Sequence, residues 1–201
     1  MTLPPAQEPL RVLGIDPGLA DVGWGAVETH GGRTMLLGYG VIQTHSNQEL
    51  AARLDFIYRR VGELIDELDP SVVAIENLYF AKNAKTAMVV AHGRAAAIIA
   101  TAGHGIRLCE YTPLQIKQAL TGHGRAGKAQ VQSMVRIVLG LPEIPRPDHA
   151  ADALAAAMCH IHSLSLDGKV VKALRQIGEG SGGPQQAANK LLLAQMRRRK
   201  R

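Results

Sequence analysis

Apolar and polar positions along the chain alternate between two periods. Val12-Leu13-Gly14-Ile15-Asp16 is an apolar run that ends on a carboxylate, and Pro17-Gly18 breaks it with a turn. This predicts a first strand over 11–16. A second strand is predicted over 22–29, then a hairpin turn at His30-Gly31-Gly32-Arg33, then a third strand over 34–44. Strands joined by such short turns make an antiparallel meander. Leu50, Leu54, Ile57, Tyr58, Val61, Leu64, Ile65 and Leu68 then recur at helical spacing. They predict a helix over 49–68, whose other face carries Arg53, Arg59, Arg60, Asp66 and Glu67, and Asp69-Pro70 stops it. Val72-Val73-Ala74-Ile75-Glu76 repeats the shape of the first strand, acid included.

The rest reads as helices with one more strand. An Ala-rich helix is predicted over 83–102, where Gly93 lets another backbone approach closely. A strand follows over 106–111, then a short helix over 114–120 opened by Pro113. A glycine-rich loop, 121–127, leads into a helix over 128–139, and a last Ala-rich helix is predicted over 149–164. Apolar density falls after Ser165, and Gly178 to Pro184 reads as a linker. The expected organisation is a flexible N-terminus at 1–10, one α/β domain at 11–164, and a basic, flexible tail at 165–201. The element order fits a ribonuclease-H-like fold: a five-stranded mixed sheet, its first three strands antiparallel, with helices on both faces.

Composition changes this picture little. Apolar residues make up 46% and aromatic residues 3%, so the core must be Ala, Val, Ile and Leu. Cys109 and Cys159 have no C-x-x-C spacing and read as buried thiols of a reducing compartment. No apolar run is long enough for a membrane span and no signal peptide is evident, so a cytoplasmic protein is expected. Charge says more. The net +6 divides into −6 over residues 1–81, +7 over 82–146, −2 over 147–163 and +7 over 164–201. A basic middle flanked by acids suits a metal-using enzyme that acts on a polyanion.

Metal-assisted phosphodiester hydrolysis needs hard oxygen ligands from separate elements, converging on ions about 3.5–4 Å apart. Asp16 and Glu76, on two strand ends, supply two. The first turn of the last helix must supply the rest. There, His149 and Asp152 are three apart and Asp148 and Asp152 four apart, so either pair shares a face. Asp148 equally suits a helix cap.

Gly14-Ile15-Asp16-Pro17-Gly18, Ala74-Ile75-Glu76, Ala81-Lys82-Asn83-Ala84 and His149-Ala150-Ala151-Asp152-Ala153-Leu154-Ala155 together resemble the RuvC family of Holliday-junction resolvases. The resemblance spans 11–163. It implies a homodimeric, Mg²⁺-dependent endonuclease that places two symmetric nicks in four-way junction DNA during recombination and repair. It implies two Mg²⁺ ions per active site, with Mn²⁺ as an alternative, and partnership with RuvA- and RuvB-type branch-migration proteins. On this frame Asp16, Glu76, His149 and Asp152 are the catalytic, metal-binding set. His149 stands where many members have Asp, and Asp148 beside it leaves the choice open. Tyr79 matches an aromatic that stacks on unpaired bases, and Phe80 is a second candidate. Lys117 and Lys128 match basic residues near the scissile phosphate. Lys82, Lys85 and Arg125 are further candidate phosphate contacts.

Three rival readings remain. Actin-like ATPases also carry an acid and a glycine after a strand, but they need two lobes and this chain has room for one. A non-cutting branched-DNA-binding module would not need Asp16, Glu76 and Asp152. A nuclease of the same fold acting on another nucleic acid, such as an RNA–DNA hybrid, uses the same acids and is the nearest alternative.

Overall fold

Pleating decides which way each strand residue points, because successive side chains face opposite sides of a sheet. In the structure, a computed structural model, the backbone is described for residues 8–77 and 84–180, and side chains for 8–77 and 87–164. The meander is formed by β1 (Leu10–Asp16), β2 (Asp21–His30) and β3 (Arg33–Gln43), each antiparallel to the next. Helix α1 (Leu50–Leu68) carries the chain to β4 (Val72–Glu76), which lies parallel to β1. Helix α2 (Ala84–Gly103) leads to β5 (Arg107–Tyr111), parallel to β4. The sheet order is β3-β2-β1-β4-β5. Among the described residues three helices follow: α3 (Pro113–Thr121), α4 (Lys128–Val138) and α5 (Asp148–Gly180).

The mixed sheet and all five strands agree with the sequence pattern. The last helix does not end at Leu164 as expected but runs to Gly180, into the stretch read as a linker. Val170, Val171, Leu174 and Ile177 keep a helical spacing that the drop in apolar density had masked. The chain forms two compact units, Met1–His162 and Ser163–Arg201; the sheet belongs to the first. No helix among the described residues is long and apolar enough to cross a membrane.

Two apolar layers sandwich the sheet. On one face Leu13, Ile15, Val73 and Ile75 pack with Ile57, Val61 and Ile65 of α1 and Ala97 and Ala100 of α2. On the other, Val12, Val27, Val72 and Ala74 pack with Ile116, Val131 and Val135 of α3 and α4, and with Leu154 and Met158 of α5. Burying each such side chain is worth about 1.5–3 kcal/mol. Being buried on both faces is why β1 and β4 read as near-continuous apolar runs.

Glycines set how deeply α5 sits. A Cβ on Gly14 would lie 1.9 Å from the Ala153 carbonyl oxygen, and one on Gly23 would lie 2.0 Å from that of His149. One on Gly25 would meet Leu154 Cγ at 2.5 Å. The α5 backbone therefore rests on the bare backbone of β1 and β2. A second close approach fixes the turn after β1, as Gly93 promised: a Cβ there would fall 1.8 Å from the Gly18 carbonyl oxygen. Buried Thr44 also braces that turn, its hydroxyl donating to the Leu19 carbonyl at 2.6 Å.

Candidate active site

Asp16 and Glu76 are the last residues of β1 and β4, one step beyond the paired Ile15 and Ile75. Since Ile15 and Ile75 face α1 and α2, the pleat turns both acids to the α5 side. The parallel strands end together where the sheet's connections reverse direction, the usual place for a site in an open α/β sheet. The glycine seat brings the first turns of α5 to the same edge, and His149 and Asp152 with them.

The sequence left Asp148 and His149 as alternatives, and in the structure the two side chains meet different partners. His149 Nδ1 donates to Asp16 Oδ2 at 2.7 Å. Asp148 instead faces Arg146, with which it pairs, and Lys128 Nζ at 3.4 Å. It is the first residue of α5 rather than its cap. Lys128 Nζ also lies 2.8 Å from Asp152 Oδ2.

Two further elements close the site. α3 is held by a reciprocal capping box between Thr112 and Gln115 with Pro113 in its first turn, and it buries Ile116 and Leu120. That orientation puts Lys117 into a cleft of about 260 Å³ shared with Glu76, Lys128 and Asp152, floored by Ile116 and Val131. Buried Ala126 anchors the glycine-rich loop just before Lys128, while Arg125 stands exposed on it. Tyr79, Phe80 and Lys82 lie outside the described residues, as does the side chain of Lys85.

The electrostatics are those of crowded carboxylates. Burial, then the charges of Asp16 and Asp152, push the Glu76 carboxyl up to about 7, against the pull of Lys117 and Lys128. Burial also raises Asp152 although Lys128 opposes it. The His149 imidazole is raised, first by its hydrogen bond to Asp16 and further by the Asp16 and Asp21 charges. Among the described residues no three His, Cys, Asp or Glu side chains are drawn up around one point as an ion would hold them. Lys128 instead pairs with Asp152, and His149 is hydrogen-bonded to Asp16. Hard oxygen donors that repel one another across a cleft nevertheless fit a hard divalent cation, with Asp16, Glu76 and Asp152 as the residues able to hold it.

One expectation follows. A carboxyl whose folded pKa is raised stabilises the fold below its unfolded pKa, and that contribution is lost as pH climbs through the folded value. Without metal, stability should fall between about pH 4.5 and 7 as Glu76 loses its proton. A cation takes the proton's place. Added Mg²⁺ should therefore raise the melting temperature by several degrees at pH 8 and by almost nothing at pH 5, read by thermal denaturation with EDTA as reference. Equal shifts at both pH values would contradict this.

The family model described as crossover junction endodeoxyribonuclease RuvC matches residues 12–160. The chain belongs to the RuvC family. The RuvC of Alkaliphilus metalliredigens is 51% identical over 152 residues, which span 76% of this chain and 93% of that one. A solved structure of Thermus thermophilus RuvC is similar at a TM-score of 0.73 and 38% identity, covering 79% of this chain and 97% of that one. Thermus thermophilus RuvC in complex with Holliday junction substrate matches at 0.72 and 35%, covering 78% and 96%. The fold is the ribonuclease-H-like fold of RuvC.

Sequence reasoning missed three features of the site. Gly14, Gly23 and Gly25 seat α5; two glycines at i and i+2 within a strand were the available signal. Arg146 pairs with Asp148, and Asp21 adds to the field on His149.

Proposed function

We propose that the chain works as a homodimeric, Mg²⁺-dependent crossover junction endodeoxyribonuclease that resolves four-way DNA junctions by two symmetric nicks. The observation that carries this reading is the meeting of Glu76 and Asp152 with Lys117 and Lys128 at one cleft, with Asp16 close enough for its charge to act on Glu76. A polyanion is cut where acids for a cation and lysines for phosphates share a wall. In the cut, a water oxygen forms a bond to phosphorus, and the bond from phosphorus to one sugar oxygen breaks. That oxygen leaves as an alcohol. Asp16, Glu76 and Asp152 would hold a divalent cation, which would acidify a water and stabilise charge at the phosphate. Lys117 and Lys128 neutralise the phosphate that enters the cleft. Tyr79 and Phe80 are the candidates for stacking on unpaired bases, with Lys82, Lys85 and Arg125 as phosphate contacts beyond the cleft.

Two nicks need two sites. Along α2, Met88, Ala91, Ala95, Ile99 and Ala102 form an exposed stripe of apolar and small residues at helical spacing, a surface suited to a second copy of this chain. Partnership with RuvA- and RuvB-type proteins, and a cytoplasmic location beside the DNA, complete the reading. Incubation with Mg²⁺ and end-labelled four-way junction, linear duplex or RNA–DNA hybrid tests it. The junction alone should be cut, at symmetric positions. Cutting the hybrid as fast as the junction would favour the rival nuclease reading.

Residues 165–201 are proposed to act as a basic tether for DNA. Truncation after residue 164 should leave junction nicking intact and weaken affinity for any DNA, the loss fading as salt rises. A truncated chain unable to dimerise or cut would overturn this.

His149 is proposed to join the cation's ligands through the ring nitrogen that does not face Asp16. Protonation removes that lone pair, and nitrogen favours Mn²⁺ over Mg²⁺. Cutting should therefore fall along an acid limb in the imidazole range, and Mn²⁺ should be the faster ion. His149→Asp should lower the limb and narrow the Mn²⁺ advantage. If His149→Ala leaves both unchanged while Asp148→Asn stops cutting, Asp148 is the ligand.

A further inference from the structure

One carboxylate oxygen of Asp152 is already paired. Lys128 Nζ stands 2.8 Å from Asp152 Oδ2 and 3.4 Å from Asp148 Oδ2. Asp152 is the less exposed partner, at 24% against 53% for the lysine. Lys128 opens α4 directly after Gly127, where an added methyl group would meet nothing within 4 Å. Its ammonium ends a long flexible stem, so it can leave Asp152 without moving the helix. Lys117 lines the same cleft, and no ion pair ties it to Asp152 among the described residues.

We propose that Lys128 is a built-in competitor for the metal: in the ion-free protein its ammonium occupies the cation's place on Asp152, and the incoming ion must displace it. The inference rests on the reading of Asp16, Glu76 and Asp152 as the cation's holders. Asp148 gives the displaced ammonium its next partner, which keeps Lys128 at the mouth of the cleft. The exchange links ion and substrate. Whatever draws Lys128 off Asp152, a DNA phosphate above all, tightens ion binding, and the ion in turn releases Lys128 toward the phosphate, since such coupling is reciprocal. Without DNA the ion therefore binds, but more weakly than Asp152 free of Lys128 would allow.

The test is Mn²⁺ binding to the full-length protein without DNA, followed by the electron paramagnetic resonance of free Mn²⁺. Lys128→Gln and Lys128→Met should each bind Mn²⁺ about tenfold more tightly than the parent, equivalent to about 1.4 kcal/mol. Lys117→Gln removes the same charge from the same cleft and should gain less than about threefold. Equal or weaker binding by both Lys128 variants overturns the proposal. So does an equal gain in Lys117→Gln, which would make the effect one of the general field. Asp152→Asn separates the two levels. Mn²⁺ binding unchanged by that substitution would mean that the ion site itself lies elsewhere; weakened binding there, with no gain in the Lys128 variants, sinks the competitor alone.

Discussion

Asp16→Asn is expected to slow junction cutting about a thousandfold or more while leaving junction affinity within about threefold. The amide keeps the shape of the side chain and can still meet His149, which lies 2.7 Å away. It removes the negative charge that Asp16 is proposed to bring, with Glu76 and Asp152, to the cation. Loss of one preorganised electrostatic partner commonly costs about 10²–10³ in rate, and here the loss extends to the cation itself. DNA binding depends on lysines and arginines instead, and one fewer negative charge beside a phosphate does not weaken it. Single-turnover cutting at saturating protein, set beside a gel-shift titration, separates the two. Parallel loss of binding and cutting, with a lowered melting temperature, would make Asp16 a structural residue.

Gly14→Ala is expected to destabilise the protein by about 3 kcal/mol, a fall in melting temperature of about 10 °C. The new methyl group would stand 1.9 Å from the Ala153 carbonyl oxygen and 2.9 Å from the Ala157 amide nitrogen. Both are backbone atoms of α5, so no side chain can swing aside; the helix must lift. Lifting α5 carries His149 and Asp152 away from Asp16 and Glu76, so cutting by the protein that remains folded should fall as well. Gly127→Ala is the control. Nothing lies within 4 Å of that added methyl group and its φ is −73°, so it should cost less than about 1 kcal/mol. Similar melting temperatures for the parent and Gly14→Ala would mean that α5 is not seated as described.

These two substitutions mark the boundary of what the sequence discloses. Asp16 and Glu76 are legible because each ends a run buried on both faces, a pattern that fixes strand, direction and pleat without knowledge of any partner. The antiparallel start of the sheet is equally local, set by the turn at Gly31 and Gly32. The choice between Asp148 and His149 is not local. Adjacent residues on the first turn of a helix differ by about 100° in direction, and only the depth and rotation of α5 on the sheet decide which faces Asp16. That depth is written in Gly14, Gly23 and Gly25, residues silent until the opposing backbone is known. Gly93 was legible as a point of close approach; its partner, the carbonyl of Gly18, was not. The end of the last helix was misjudged for a related reason. Apolar density falls after Ser165, while Val170, Val171, Leu174 and Ile177 keep a helical spacing.

The carboxylate centre can be observed directly. Crystals of the full-length protein soaked in Mn²⁺, with diffraction measured at the manganese absorption edge, would locate the ion by its anomalous signal. The account predicts a peak bounded by Asp16, Glu76 and Asp152, lost in Asp152→Asn. A peak held by Asp148 away from Glu76, or no peak in that cleft at Mn²⁺ concentrations that support cutting, would contradict it.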